Sequence, residues 1–189
     1  MAPPRGFLPW NPETKKGRLT MPKAKRPKVK HVKPIPEGYR TVTPYLTLRN
    51  GDRAIDFYKR AFGAKELMRM PGPDGKSIMH AELRIGDSIV LLSDEIPDMG
   101  SCRSPESLGG ASGSLFLYVK DVDAAFKRAV AAGCQVRMPL ADMFWGDRFG
   151  KLADPFGHEW SLATHKEDVT PAQAKKRAQA LFQQGGHTA

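Results

Sequence analysis

The chain has 189 residues, with 30 Lys and Arg against 20 Asp and Glu, a formal charge of +10 and 16 prolines. That length supports one domain with a real core, or two small fused modules. Nothing approaches the ~20 apolar residues of a spanning helix or resembles a signal-peptide core, and Cys102 and Cys134 are too few for a disulfide framework and lack metal-type spacing, so a cytoplasmic protein is expected.

The charge is unevenly spread. Residues 1–38 hold eight prolines and ten Lys or Arg against only Glu13 and Glu37. This basic Pro-rich tail has almost no apolar periodicity and is expected to be disordered or loosely draped. A basic arm can bind nucleic acid by counterion release. No aromatic-interleaved groove or DNA-binding motif follows it, so a solvated leader without nucleic-acid binding is expected. Met21 is an alternative start.

Thr41 to Leu48 alternates and is rich in β-branched residues, which predicts a strand. Asp52 is suited to cap a helix in which Ala54, Ile55, Tyr58, Ala61 and Phe62 share one face, and Gly63 stops it. Ala64 to Met70 reads as a strand, residues 71–75 (Pro-Gly-Pro-Asp-Gly) as a turn, and Ser77 to Ile85 with Ser88 to Ser93 as a hairpin across Gly86-Asp87. These make one βαβββ module over residues 39–100. After a Gly-, Ser- and Pro-rich linker, the same order recurs over residues 113–165. Its elements are Ser114 to Val119, a helix from Val122 to Ala132, then Gln135 to Met138, Arg148 to Asp154 and Glu159 to Thr164. Thr170-Pro171-Ala172-Gln173 is a capping box that opens a basic C-terminal helix over residues 170–184.

The two modules repeat in sequence as well as in pattern. Ala54/Ala124, Ala61/Ala131 and Gly63/Gly133 coincide at an offset of 70, and Gly86/Gly157 at 71. Two repeats are too few for a solenoid, so a pseudo-symmetric pair of modules is expected within one domain, residues 39–169. Strand alternation then divides the side chains. Leu46, Leu48, Met79, Ala81, Leu83, Ile85, Leu115, Leu117, Val119, Trp160 and Leu162 should face the helices. Thr43, Tyr45, Thr47, Ile78, His80, Glu82, Arg84, Ser114, Phe116, Tyr118, Glu159, Ser161 and Ala163 should face the other way, a mixed polar and aromatic set suited to a ligand.

The paired βαβββ plan, Thr43-Pro44-Tyr45-Leu46, Ala54-Ile55-Asp56-Phe57-Tyr58 and Phe62-Gly63-Ala64 together resemble the vicinal oxygen chelate superfamily of glyoxalases, bleomycin resistance proteins and dioxygenases. The stretches Asp142 to Gly150 and Asp154 to Trp160 look like its PhnB-like branch. The resemblance covers about Tyr39 to His165. It implies an α+β fold in which the two modules form a curled mixed sheet around a cavity, followed by the C-terminal helix, commonly as a homodimer.

Carried over by motif, the metal-ligand positions of the metal-dependent members fall on Tyr45 (or Thr43), His80, Ser114 and Ser161. Only His80 is a normal ligand, and the last carboxylate is replaced by Ser161. Three or four donors must converge on a divalent ion, so no tightly bound metal or other cofactor is expected. Glu82 and Glu159 could join His80 in a non-standard metal site, or His80 could serve as a base. Tyr45, Phe116, Tyr118, Phe144, Trp145, Arg148 and Ser161 are the candidate ligand contacts. Arg148 would clamp an anion bidentately, while Asp147 and Arg148 also read as an ion pair. The expected function is small-molecule binding without a tight metal. The alternatives are a metal-dependent lyase or dioxygenase, and an antibiotic-sequestering resistance protein, against which Arg84 and Arg148 weigh because they oppose a cationic drug.

Overall fold

The computed structural model describes residues 32–96 and 102–185, side chains excepted at 184 and 185. Most of the tail and part of the linker lie outside these residues, as does the expected disorder of 1–31. The first module comprises β1 (Tyr45–Leu48), α1 (Gly51–Phe62), β2 (Lys65–Pro71), β3 (Ile78–Ile85) and β4 (Ser88–Asp94). A one-turn helix, α2 (Pro105–Leu108), stands in the linker. The second module comprises β5 (Ser114–Tyr118), α3 (Val122–Ala132), β6 (Gln135–Asp142), β7 (Asp147–Ala153) and β8 (Glu159–His165), followed by α4 (Pro171–Gly185).

Each module forms its own four-stranded sheet, in the orders β1-β4-β3-β2 and β5-β8-β7-β6. The first strand of each pairs in parallel with the last, and the other pairs are antiparallel. This corrects the expectation of one curled mixed sheet around a cavity. Hydrogen bonding stops at β1 and at β5, and neither sheet is closed or strongly curled. The modules are joined through their helices instead, with α1 packed on α3. One core of buried side chains runs through both modules, from Leu48, Ile55, Leu83 and Leu92 to Ala129, Leu152, Trp160 and Leu162. Leu48, Leu83, Trp160 and Leu162 come from the helix-facing sets predicted from alternation, and their burial removes apolar area from water. The opposite faces are not fully open, since Ile78, Phe149 and Ala163 there are also buried, at 3%, 5% and 0% exposed.

The two helices begin in related ways. Asp52 does not cap α1, which starts two residues earlier. The carboxylate of Asp94, at the end of β4, accepts from Gly51 N (2.6 Å) and from Ile78 N (2.7 Å). In the second module, Thr164 Oγ1 accepts from Val122 N (2.9 Å), and Asp121 caps Ala124 N (3.0 Å). The last strand of each module therefore satisfies a free N–H group at the start of that module's helix. A side chain at Gly51 would crowd this support, since a Cβ there would lie 3.0 Å from Ile78 and 3.2 Å from Asp94 Oδ1. The capping box ahead of α4 forms as expected, with Thr170 N donating to Gln173 Oε1 (2.9 Å) and Gln173 N to Thr170 Oγ1 (3.3 Å).

Candidate functional site

On the first sheet, the face turned from the helices carries a short polar chain. Tyr45 Oη and His80 Nδ1 are 3.2 Å apart, and His80 Nε2 lies 3.5 Å from Glu82 Oε1. Cross-strand register sets Met70 beside His80 and Met68 beside Glu82. Tyr39 completes the group by donating its hydroxyl to Glu82. That hydrogen bond to a carboxylate, aided by burial, pushes the phenol up to about 12.

The second sheet carries an aromatic cluster on the corresponding face. Phe116 contacts Tyr118 (ring centroids 4.9 Å apart) and stacks on Phe149 (5.5 Å). Trp145 meets Phe149 edge-on (5.6 Å) and Phe144 at right angles (4.8 Å). The cluster is built around Asp147, which is only 3% exposed. Its Oδ2 accepts from Tyr118 Oη (3.0 Å) and Trp145 Nε1 (3.1 Å), and its Oδ1 pairs with His165 Nδ1 (2.8 Å). A buried carboxylate requires such donors. His165 Nε2 also lies 3.0 Å from Asp168 Oδ1. Hydrogen bonds to Asp168 and then Asp147 raise the His165 pKa, and the bond to Asp147 raises that of Tyr118. The turn before Asp147 depends on Gly146. Its φ is +100°, and a Cβ there would stand 2.1 Å from the Glu167 carbonyl oxygen.

The candidate residues thus fall into two groups. Tyr45, His80 and Glu82 come together on the first sheet, and Phe116, Tyr118, Phe144 and Trp145 on the second. No hydrogen bond, ion pair or ring contact of the described residues links the two groups. Glu159 stands at the start of β8, 3.4 Å from Arg137 Nε. Ser161 is 2% exposed beneath the register partners Phe116 and Lys151. Arg148 does not pair with its neighbour Asp147. It lies on the helix side, where Nε and Nη2 donate to Asp123 of α3 (2.8 and 2.7 Å), and Nη1 reaches Asp142 at 3.4 Å. These partners raise its pKa further, with Asp123 the first cause. Thr43 Oγ1 donates to Arg40 O (2.9 Å), and Ser114 is exposed at the start of β5.

Sequence reasoning did not include Tyr39, His165 or Asp168. Tyr39 lies ahead of the strand, and His165 one residue past the end expected for β8. Alternation continued from Glu159 through Ala163 would have placed His165 on the ligand face. The roles of Asp94, Asp154 and His158 also escaped, since each acts across elements distant in the chain. Asp154 accepts from Tyr58 Oη (2.8 Å), Trp160 Nε1 (2.9 Å), Phe156 N (2.9 Å) and His158 N (2.9 Å). His158 Nε2 lies 3.1 Å from Thr47 O, on the free edge of β1. Burial lowers the His158 pKa.

The donor set does not fit a metal ion. Among the described residues, no three or more His, Cys, Asp or Glu side chains converge as ligands. His80 has Tyr45 at one ring nitrogen and a single carboxylate near the other.

Two βαβββ modules in tandem, each with its polar or aromatic face turned from its helix, define a class of small-molecule-binding folds. The chain belongs to the Glyoxalase/Bleomycin resistance protein/Dioxygenase superfamily, whose family model matches residues 40–162. It is 49% identical over 130 residues to the uncharacterized protein Mb0911c of Mycobacterium bovis, covering 68% of this chain and 85% of that one. Among solved structures it is similar to TioX from Micromonospora sp. ML1, with a TM-score of 0.53 and 34% identity over 65% of this chain and 96% of that one. The fold is shared with a fosfomycin resistance protein, FosX from Listeria monocytogenes, crystallised with Mn(II) and a dihydroxypropylphosphonic acid. That match has a TM-score of 0.50 and 16% identity, covering 72% of this chain and 94% of FosX.

Proposed function

We propose that this protein binds a small, partly aromatic metabolite on the aromatic face of the second sheet, as a homodimer and without a tightly held metal. The observation that carries this is the Phe116–Tyr118–Phe149–Trp145 cluster. Phe116 is 46% and Tyr118 65% exposed, although both belong to a network anchored on a buried carboxylate. Rigid aromatic surface of this kind offers stacking at little entropic cost. The homodimer is supported by the apolar groups left exposed on the outer faces of both sheets, Tyr45, Met68 and Met70 on one and Phe116 and Tyr118 on the other. The motifs between Asp142 and Trp160 support a place in the PhnB-like branch. A cytoplasmic location is in keeping with two free cysteines, Cys102 and Cys134.

The alternatives have less support. A lyase or dioxygenase acting through metal needs donors that His80, Glu82 and Glu159 do not bring together. Sequestration of a cationic drug needs free acidic charge, and on the aromatic face Asp147 is engaged by Tyr118, Trp145 and His165 while Glu159 lies 3.4 Å from Arg137 Nε. The test is a thermal-shift screen of planar aromatic compounds against the wild type, Phe116→Ala and Tyr118→Ala. Compounds that stabilise the wild type and lose their effect in both variants are expected. Hits unaffected by either substitution, or none at all, would overturn the proposal.

A further inference from the structure

The two modules meet each other's helices through turns of unequal length. In the second module, residues 154–158 separate the paired residues Ala153 and Glu159, whereas in the first only Gly86 and Asp87 separate Ile85 and Ser88. The longer turn sets Phe156 against Phe57 and Tyr58 of α1 (5.8 and 6.2 Å) and brings Asp154 to the Tyr58 hydroxyl. The shorter turn carries no comparable side chain. On its side a cleft of about 380 Å³ opens, bounded by Phe62, Ile85, Leu117, Val119, Ala125 and Leu162. The asymmetry shows along the first strands. Leu46 and Leu48 are fully buried, while their counterparts in the repeat, Leu117 and Val119, are only partly covered.

One cation is fixed at this cleft. Arg128, which lines it, occupies the position in α3 that Tyr58 occupies in α1. Its Nε donates to the Ala61 carbonyl (3.0 Å), and Nη1 and Nη2 have no partner among the described residues. The acid at the cleft, Asp87, accepts from Ser88 Oγ (3.0 Å) and lies 3.8 Å from Arg40. β5 is an edge strand whose Val119 N–H bonds β8, so by the parallel pattern the peptide groups of Phe116 and Tyr118 point to its free edge.

We propose that this cleft is a second small-molecule site, which takes a compact apolar body bearing one carboxylate, with the carboxylate on the Nη groups of Arg128. An apolar floor with a few fixed polar groups is the usual make-up of such a site, and a guanidinium held at Nε presents a ready fork for a carboxylate. The site goes beyond the function proposed above and does not depend on it. Phe116 and Tyr118 reach its mouth, but its floor is the helix-facing side of β5.

The test is an amide NMR titration of the full chain with phenylacetate and, as a neutral counterpart, phenylacetamide. Phenylacetate should shift the amides of Gly86, Asp87, Ser88 and Leu117 to Val119. Phenylacetamide should bind about tenfold more weakly, and Arg128→Gln should weaken phenylacetate by a similar factor while leaving the amide unchanged. Glutamine retains an N–H for the Ala61 carbonyl. Ala125→Leu, which fills the cleft without touching the charge, should abolish binding of both. Equal binding of acid and amide by the wild type would overturn the proposal whatever the variants do. So would shifts confined to Trp145 and Phe149, or no shift at millimolar ligand.

Discussion

Asp147 shows most directly how one side chain organises the candidate site. Its two oxygens take hydrogen bonds from Tyr118 and Trp145 and pair with His165, so the aromatic face is held from beneath by a buried charge. Removing the carboxylate takes away the charged acceptor shared by the half-buried Trp145 N–H, the Tyr118 hydroxyl and the His165 ring. Asp147→Ala is expected to cost on the order of 2–4 kcal/mol in urea unfolding and to weaken the near-ultraviolet signal of Trp145. A loss below ~0.5 kcal/mol, ordinary for a surface change, would show that the network is incidental. His165 adds a dependence on pH. Its pKa is raised by Asp168 and Asp147, so its contribution is full below the ordinary value of 6.5 and is lost as pH rises through the higher folded value. The wild type should therefore lose stability across that interval relative to His165→Gln. Parallel curves for the two proteins would contradict this. Arg148 illustrates the limit of reading from composition. The motif suggested a free clamp, and whether it faced a ligand or a helix turned on its phase in β7, one residue from Asp147.

At the level of elements, the last strand of each module supports the start of its helix. Asp94 satisfies two buried N–H groups and Thr164 one. Asp94→Ala should therefore cost about 2–4 kcal/mol, and Thr164→Val about 1–2 kcal/mol, in denaturant titrations. Equal losses would mean that these bonds do not set the helix starts. Most elements were legible in the sequence, because period-two and helical alternation were clean and glycines stood at the helix stops. The start of α1 was misplaced at Asp52, since its true support comes from Asp94, one residue past the end expected for β4. The one-turn α2 was missed as well. It is held by Ser104 and by Glu95, whose carboxylate accepts from Ser104 Oγ (2.8 Å) and Ser107 Oγ (2.6 Å). β6 also runs on to Asp142, past Pro139, through an irregular register that simple alternation does not anticipate.

For the whole molecule, the repeat foretold two modules but not how they join. A shared curled sheet was expected, and the modules instead dock through α1 and α3. That docking rests on pairs far apart in the chain, Tyr58 with Asp154 and Arg128 with Ala61, which alternation within a module does not reveal. Tyr58→Phe should lower stability by about 1–2 kcal/mol while keeping one cooperative transition by fluorescence and circular dichroism. Separate transitions would mean that the modules fold independently. The outer faces left open by this arrangement are where a ligand and a second copy would meet, and sedimentation should give twice the 20.9 kDa chain mass. On the function proposed above, the aromatic face, and not a metal centre, holds the ligand. The most direct check is the metal content of protein expressed with added Ni²⁺, Zn²⁺, Mn²⁺ and Fe²⁺ and then dialysed. Far less than one ion per chain is predicted. One ion per chain that survives dialysis and is lost in His80→Ala would contradict the claim.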